Sequence, residues 1–85
     1  MFREPRPEYA PEEAAEIARM LGINFEKEKF TVDEFRLGLN KELEHGLKYY
    51  ETNITNDNPI LTGKMALAHL KKVPDYYTRI DKIEG

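Results

Sequence analysis

Val32, Phe35, Leu39, Leu43, Gly46, Leu47 and Tyr50 fall on one stripe at the helical spacing of about 3.6 residues. A strong helix start precedes them. In Thr31-Val32-Asp33-Glu34 the threonine oxygen can accept from the backbone N–H three residues on, and the glutamate can reach back to the threonine N–H. The spacing predicts a helix over residues 32–50, the longest element, on which the rest of the chain must pack. Gly38 and Gly46 sit inside it. Each costs roughly 1 kcal/mol against alanine in a helix interior, so close approach of another backbone is the expected reason for them.

The other elements follow from local chemistry. Residues 1–9, with Pro5 and Pro7 among charges, read as an extended arm whose order is left open. Pro11 suits a first helical turn, Glu12, Glu13 and Glu16 favour its positive end, and Gly22 suits the C-terminal cap, so a helix is expected over residues 11–21. Ile23, Phe25 and Phe30 anchor a connector. Glu51 to Asn58 is turn chemistry, and Asn58-Pro59 caps a third helix over residues 59–72 that is apolar almost all round, the mark of a buried helix. Pro74 ends it, and Asp75 starts a short fourth helix over residues 75–83 with Tyr76, Ile80 and Ile83 as its apolar positions. The expected fold is all-α: residues 1–85 form a single helical domain, a small bundle of three main helices plus a short C-terminal one.

Composition removes several function classes. There is no cysteine and no serine, so there is no disulfide framework, thiolate site or serine triad. The N-terminus lacks the apolar run of a signal peptide, and no apolar stretch approaches the roughly 20 residues that span a bilayer. A cytoplasmic protein with no membrane partner is expected. The net charge is −3, with 8 basic and 13 acidic side chains in residues 1–58 against 5 and 3 in residues 59–85. This small acidic protein is a poor ligand for nucleic acid, whose binding rests on neutralising phosphates. Lys71, Lys72, Arg79 and Lys82 make a mild basic patch that reads as a solvated face.

The motifs lie in the second half: Glu42-Leu43-Glu44-His45-Gly46, then Thr52-Asn53-Ile54-Thr55-Asn56-Asp57-Asn58-Pro59, Thr62-Gly63-Lys64-Met65-Ala66-Leu67-Ala68-His69-Leu70 and Pro74-Asp75-Tyr76-Tyr77-Thr78-Arg79. This succession resembles a family of small bacterial and bacteriophage helical proteins of unassigned function, over roughly residues 35–84. The resemblance implies a small helical fold and carries no reaction, ligand or cofactor. It also implies an acid before the Pro-Asp-Tyr-Tyr segment, where this chain has Lys71-Lys72.

Two constellations carry the candidate chemistry. Glu42 and His45 are neighbours on one flank of the long helix, the Glu-x-x-His spacing of helical-bundle metal sites. His69, from the third helix, would complete a set of two nitrogens and a carboxylate for zinc or another divalent transition metal. The same residues also suit a hydrogen-bonded clamp between helices, with Glu42 or Glu44 as the partner of His69. The second constellation is aromatic. Tyr50 and Tyr76 match core periodicity, whereas Tyr49 and Tyr77 are expected to point outward and, with Arg79, to mark a partner surface. Glu42 and Glu44 lie about 200° apart around a helix and cannot act as one acid/base pair. The leading expectation is a small non-enzymatic protein-protein interaction module with no cofactor. The alternative is a metal-binding helical protein using Glu42, His45 and His69. Self-association is left open.

Overall fold

A computed structural model describes residues 8–48 and 58–84, with the side chains of 45–48 and 84 outside the description. It contains four helices: α1 Pro11–Met20, α2 Val32–Lys48, α3 Pro59–Lys72 and α4 Tyr76–Glu84. There is no strand among the described residues. The fold is all-α, as the periodicities predict. Positions 49 and 50, expected to end the long helix, lie outside the described residues.

The helix ends form as their residues dictate. Glu13 Oε1 accepts from the Ala10 N–H at 2.8 Å, satisfying a donor left over at the start of α1. At its other end Gly22 adopts φ +74°, with Gly22 N–H bonded to Arg19 O and Ile23 N–H to Ala18 O. That pair of bonds is a Schellman closure, which requires a left-handed residue and so favours glycine. Asn58 Oδ1 accepts from the N–H groups of Ile60 (2.9 Å) and Leu61 (3.2 Å) and caps α3. Thr31 Oγ1 accepts from Glu34 N–H at 3.2 Å, as the start of α2 predicts. The Glu34 carboxylate does not close the expected box. It crosses to α4, where it accepts from the backbone N–H of Thr78 at 3.0 Å and from the Thr78 hydroxyl.

α2 is the spine, packed against α1, α3 and α4. Its stripe is buried through Phe35, Leu39 and Leu43, which join Ala14, Ile17, Ala18, Phe30, Ala66, Leu70 and Tyr77 in the core. The connector is pinned where its aromatics fall: Phe25 meets Phe30 and Phe35 edge-on at 5.9 and 6.2 Å between ring centres.

Two expectations are corrected. α3 is not buried all round: Thr62, Gly63, Ala66 and Leu70 face inward, while Leu61 and Ala68 are exposed. In α4 the buried position is Tyr77, flanked by half-buried Tyr76 and Ile80, and Ile83 is 84% exposed. Its packing phase is set by how α4 crosses α2 and α3 rather than by its own apolar pattern. The end of the arm at residue 9 is tied to α2. Tyr9 N–H donates to Asn40 Oδ1 at 2.7 Å, and Arg36 Nε donates to Tyr9 O at 2.7 Å. One turn of α2 thus holds both backbone groups of one residue.

Candidate functional site

The site begins with an absence of side chain. A Cβ built at Gly38 would lie 2.6 and 2.8 Å from two ring carbons of Tyr77 and 3.2 Å from Ala66 Cβ. Glycine at this position lets an aromatic ring lie against the α2 backbone. The close approach expected of Gly38 is therefore real, but the visitor is a side chain and not a second backbone. Seated there, Tyr77 is 1% exposed, and its hydroxyl reaches the residue one turn further along α2.

That residue is Glu42. The Tyr77 hydroxyl donates to Glu42 Oε2 at 2.6 Å. From α3, His69 Nδ1 comes within 2.8 Å of the Tyr77 hydroxyl oxygen and 3.0 Å of Glu42 Oε2. Three polar atoms from three helices thus form one triangle with sides of 3.0 Å or less. Stacking fixes the imidazole further: His69 lies on the Tyr76 ring at 4.7 Å with 22° between planes, and Tyr77 presents its edge at 5.9 Å. Burial pushes the Tyr77 hydroxyl well above its ordinary ionisation range, and the hydrogen bond and charge of Glu42 push it the same way. The hydroxyl therefore keeps its proton and remains a donor at any physiological pH.

Of the residues singled out in the sequence, Glu42 and His69 are brought together, and of the two acids named as partners for His69 it is Glu42 that meets the ring. The His45 side chain and Tyr49 lie outside the described residues. Among the described residues, no group of three His, Cys, Asp or Glu side chains is placed to hold a metal ion. Tyr77 is a correction. It does not point outward to a partner but fills the core, because Gly38 opens a seat for it. Arg79 does face solvent, with its Nε 2.8 Å from Asp75 Oδ1 one turn earlier. Lys71 Nζ lies 2.6 Å from Glu28, so Lys71 and Arg79 of the mild basic patch are ion-paired.

Sequence reasoning missed Tyr77 as the third member of the cluster. The available signal was the pairing of an in-helix glycine with a tyrosine beyond the next helix, but nothing local links positions 38 and 77. It also missed Arg36 and Asn40, which hold Tyr9. Beside them a cleft of about 390 Å³ opens, lined by Glu8, Asp33, Arg36, Asn40, Glu44 and Asp81 among others. Lys41 Nζ bridges to Asp81 at its edge, at 3.1 Å. No helix among the described residues is long and apolar enough to cross a membrane.

No curated protein and no solved structure gives a significant match to the chain. A family model does. The family described as protein of unknown function DUF5661 matches residues 14–85, from the first buried residue of α1 to the C-terminal residue, and the chain belongs to that family.

Proposed function

We propose that this chain is a small, non-enzymatic, cytoplasmic module that binds another protein through the solvent face of α4. Arg79 and Ile83 lie four residues apart on α4, and Asp75, the residue before the helix, stands four ahead of Arg79, so the three form one strip. Ile83 carries the reading: it is a large aliphatic side chain left 84% exposed, one turn beyond an exposed arginine. Arginine beside apolar surface is a common pairing at the centre of protein interfaces. Glu42, Tyr77 and His69 satisfy one another, which suits a clamp that fixes α2, α3 and α4 in one register.

The motif resemblance directs the search for a partner to bacteria and their phages. Tagged protein would be used to capture partners from such lysates, alongside Arg79→Glu and Ile83→Asp. Both positions are exposed, so the helical circular dichroism should be unchanged. A partner held by the wild type and lost by both variants supports the reading. No captured protein, or equal capture by all three, sinks it.

A second reading is divalent transition-metal binding through Glu42, His45 and His69. One contact favours it: Glu42 Oε2 and His69 Nδ1 are 3.0 Å apart, so two of the three side chains are neighbours. Elemental analysis of untagged protein tests it. Stoichiometric metal that disappears in His45→Ala supports it, and folded metal-free protein removes it.

A further inference from the structure

Tyr9 is held by both of its backbone groups. Its N–H donates to Asn40 Oδ1 and its carbonyl oxygen accepts from Arg36 Nε, each at 2.7 Å. Its side chain packs on the core. The next residue, Ala10, is extended at φ −74° and ψ 161°, close to polyproline II geometry. The two bonds also give the segment a direction. Asn40 stands one turn nearer the C-terminal end of α2 than Arg36, and along a chain the N–H of a residue precedes its carbonyl. The segment therefore runs antiparallel to α2, and the chain ahead of Tyr9 is sent towards Lys41 and Glu44.

The cleft of about 390 Å³ lies on that path, and Glu8 already lines it. Its α2 wall is a single helix face, from Asp33 through Leu37 to Glu44 at spacings of three and four. Tyr9 sits at a level midway between Arg36 and Asn40. From there to Glu44 is about 9 Å along the axis, at 1.5 Å per residue. Pro5 and Pro7 fix their own φ and keep the residues before them out of the helical region. That favours polyproline II, in which three residues span about 9 Å, the separation of Arg6 from Tyr9. Charge agrees with length. At the level of Glu44 the cleft presents two carboxylates, Glu44 and Asp81, to one ammonium, Lys41, whose Nζ is 3.1 Å from Asp81. Residues 3–7 carry two arginines to one glutamate.

The geometry points to this cleft as a seat for an extended, proline-spaced basic segment, and to residues 3–7 of the same chain as its occupant, with the Arg6 guanidinium against the carboxylates of Glu44 and Asp81. Because Tyr9 is already fixed, docking is intramolecular, so a weak surface charge pairing suffices. The seat is independent of the α4 strip of Arg79 and Ile83.

The test uses the full chain. It has no cysteine, so Glu4→Cys carries a single nitroxide label, read by paramagnetic broadening of 15N amides. A docked segment should broaden Lys41 to Glu44 and Asp81 several-fold more than Asp33 to Phe35. A segment hinged freely at Tyr9 broadens both sides of Asn40 and Arg36 alike, and that result overturns the proposal. Arg6→Glu in the labelled chain should level the two sides, as should high salt. An asymmetry that survives Arg6→Glu overturns the charge pairing. Both substitutions precede the first helix, and an unchanged amide spectrum of α1 to α4 checks that the fold is kept. Spin-labelled 14N chains mixed with unlabelled 15N chains should give no broadening. Broadening there means that the segment of a second copy fills the cleft, which overturns the occupant.

Discussion

The Tyr77 ring occupies the space that any side chain at position 38 would fill, with Tyr77 Cε2 2.6 Å from a Cβ built there. Gly38→Ala should therefore destabilise the protein although alanine is the better helix former. The helix gain is about 1 kcal/mol, and forcing a methyl against a buried ring costs about 1–3 kcal/mol. A net loss of up to about 2 kcal/mol in urea unfolding is expected. At Gly63 the nearest atoms are methyls of Leu21 and Ile17, at 2.8 and 2.9 Å. The leucine tip can turn aside, so Gly63→Ala should lose less. Equal losses at the two positions would show that the ring is not the obstacle.

Tyr77→Phe keeps the ring and removes the hydroxyl from the triangle. Glu42 and His69 lose a shared partner in a largely buried place. The expected loss is about 1–2 kcal/mol, read by thermal or urea unfolding. Tyr77→Ala, which also empties the Gly38 seat, should lose about 3–5 kcal/mol.

The raised ionisation range of Tyr77 predicts a pH dependence with a definite sign. In the unfolded chain the phenol ionises near its ordinary value of 10.0, whereas burial and Glu42 keep it protonated in the folded protein. The unfolded state therefore releases a proton that the folded state retains. The contribution is fully present below about pH 10 and falls above it, by up to about 1.4 kcal/mol per pH unit. Unfolding free energies followed from pH 9 to 11 should drop more steeply for wild type than for Tyr77→Phe. Parallel curves would contradict the assignment.

Glu34→Ala should weaken α4 specifically. The carboxylate satisfies the Thr78 N–H at the start of α4 and also accepts from the Thr78 hydroxyl. Losing it should cost about 0.5–2 kcal/mol, the range of a helix cap. Amide hydrogen exchange should speed up in α4 more than in α1. Uniform acceleration across all four helices would mean that Glu34 acts on global stability alone.

Thr62 is fully buried, and its hydroxyl finds no hydrogen-bond partner among the described residues. Thr62→Val replaces the hydroxyl with a methyl of similar shape at similar helix propensity. Because an unpaired buried hydroxyl carries a desolvation penalty of about 1–3 kcal/mol, the variant should equal or exceed wild-type stability. A loss above about 1 kcal/mol in the urea midpoint would reveal a partner for that oxygen.

Local chemistry written in the chain determined the all-α class and the helix starts and stops. Thr31, Asn58, Gly22 and Pro74 act on backbone groups within a few residues of themselves, so their effects need no knowledge of the fold. The α2 stripe was legible for the same reason: Phe35, Leu39 and Leu43 are buried wherever the helix packs. Only the tertiary structure decided which face of α4 turns inward and where Glu34 reaches. Its crossing of α2 and α3 exposes Ile83 and buries Tyr77, against the helix's own periodicity, because a ring that fits at Gly38 excludes more water than an isoleucine at the free end of a short helix. The pairing of Glu42 with His69 was readable as a neighbourhood of two helices. Its third member was not, since positions 38, 42, 69 and 77 meet only once three helices have docked.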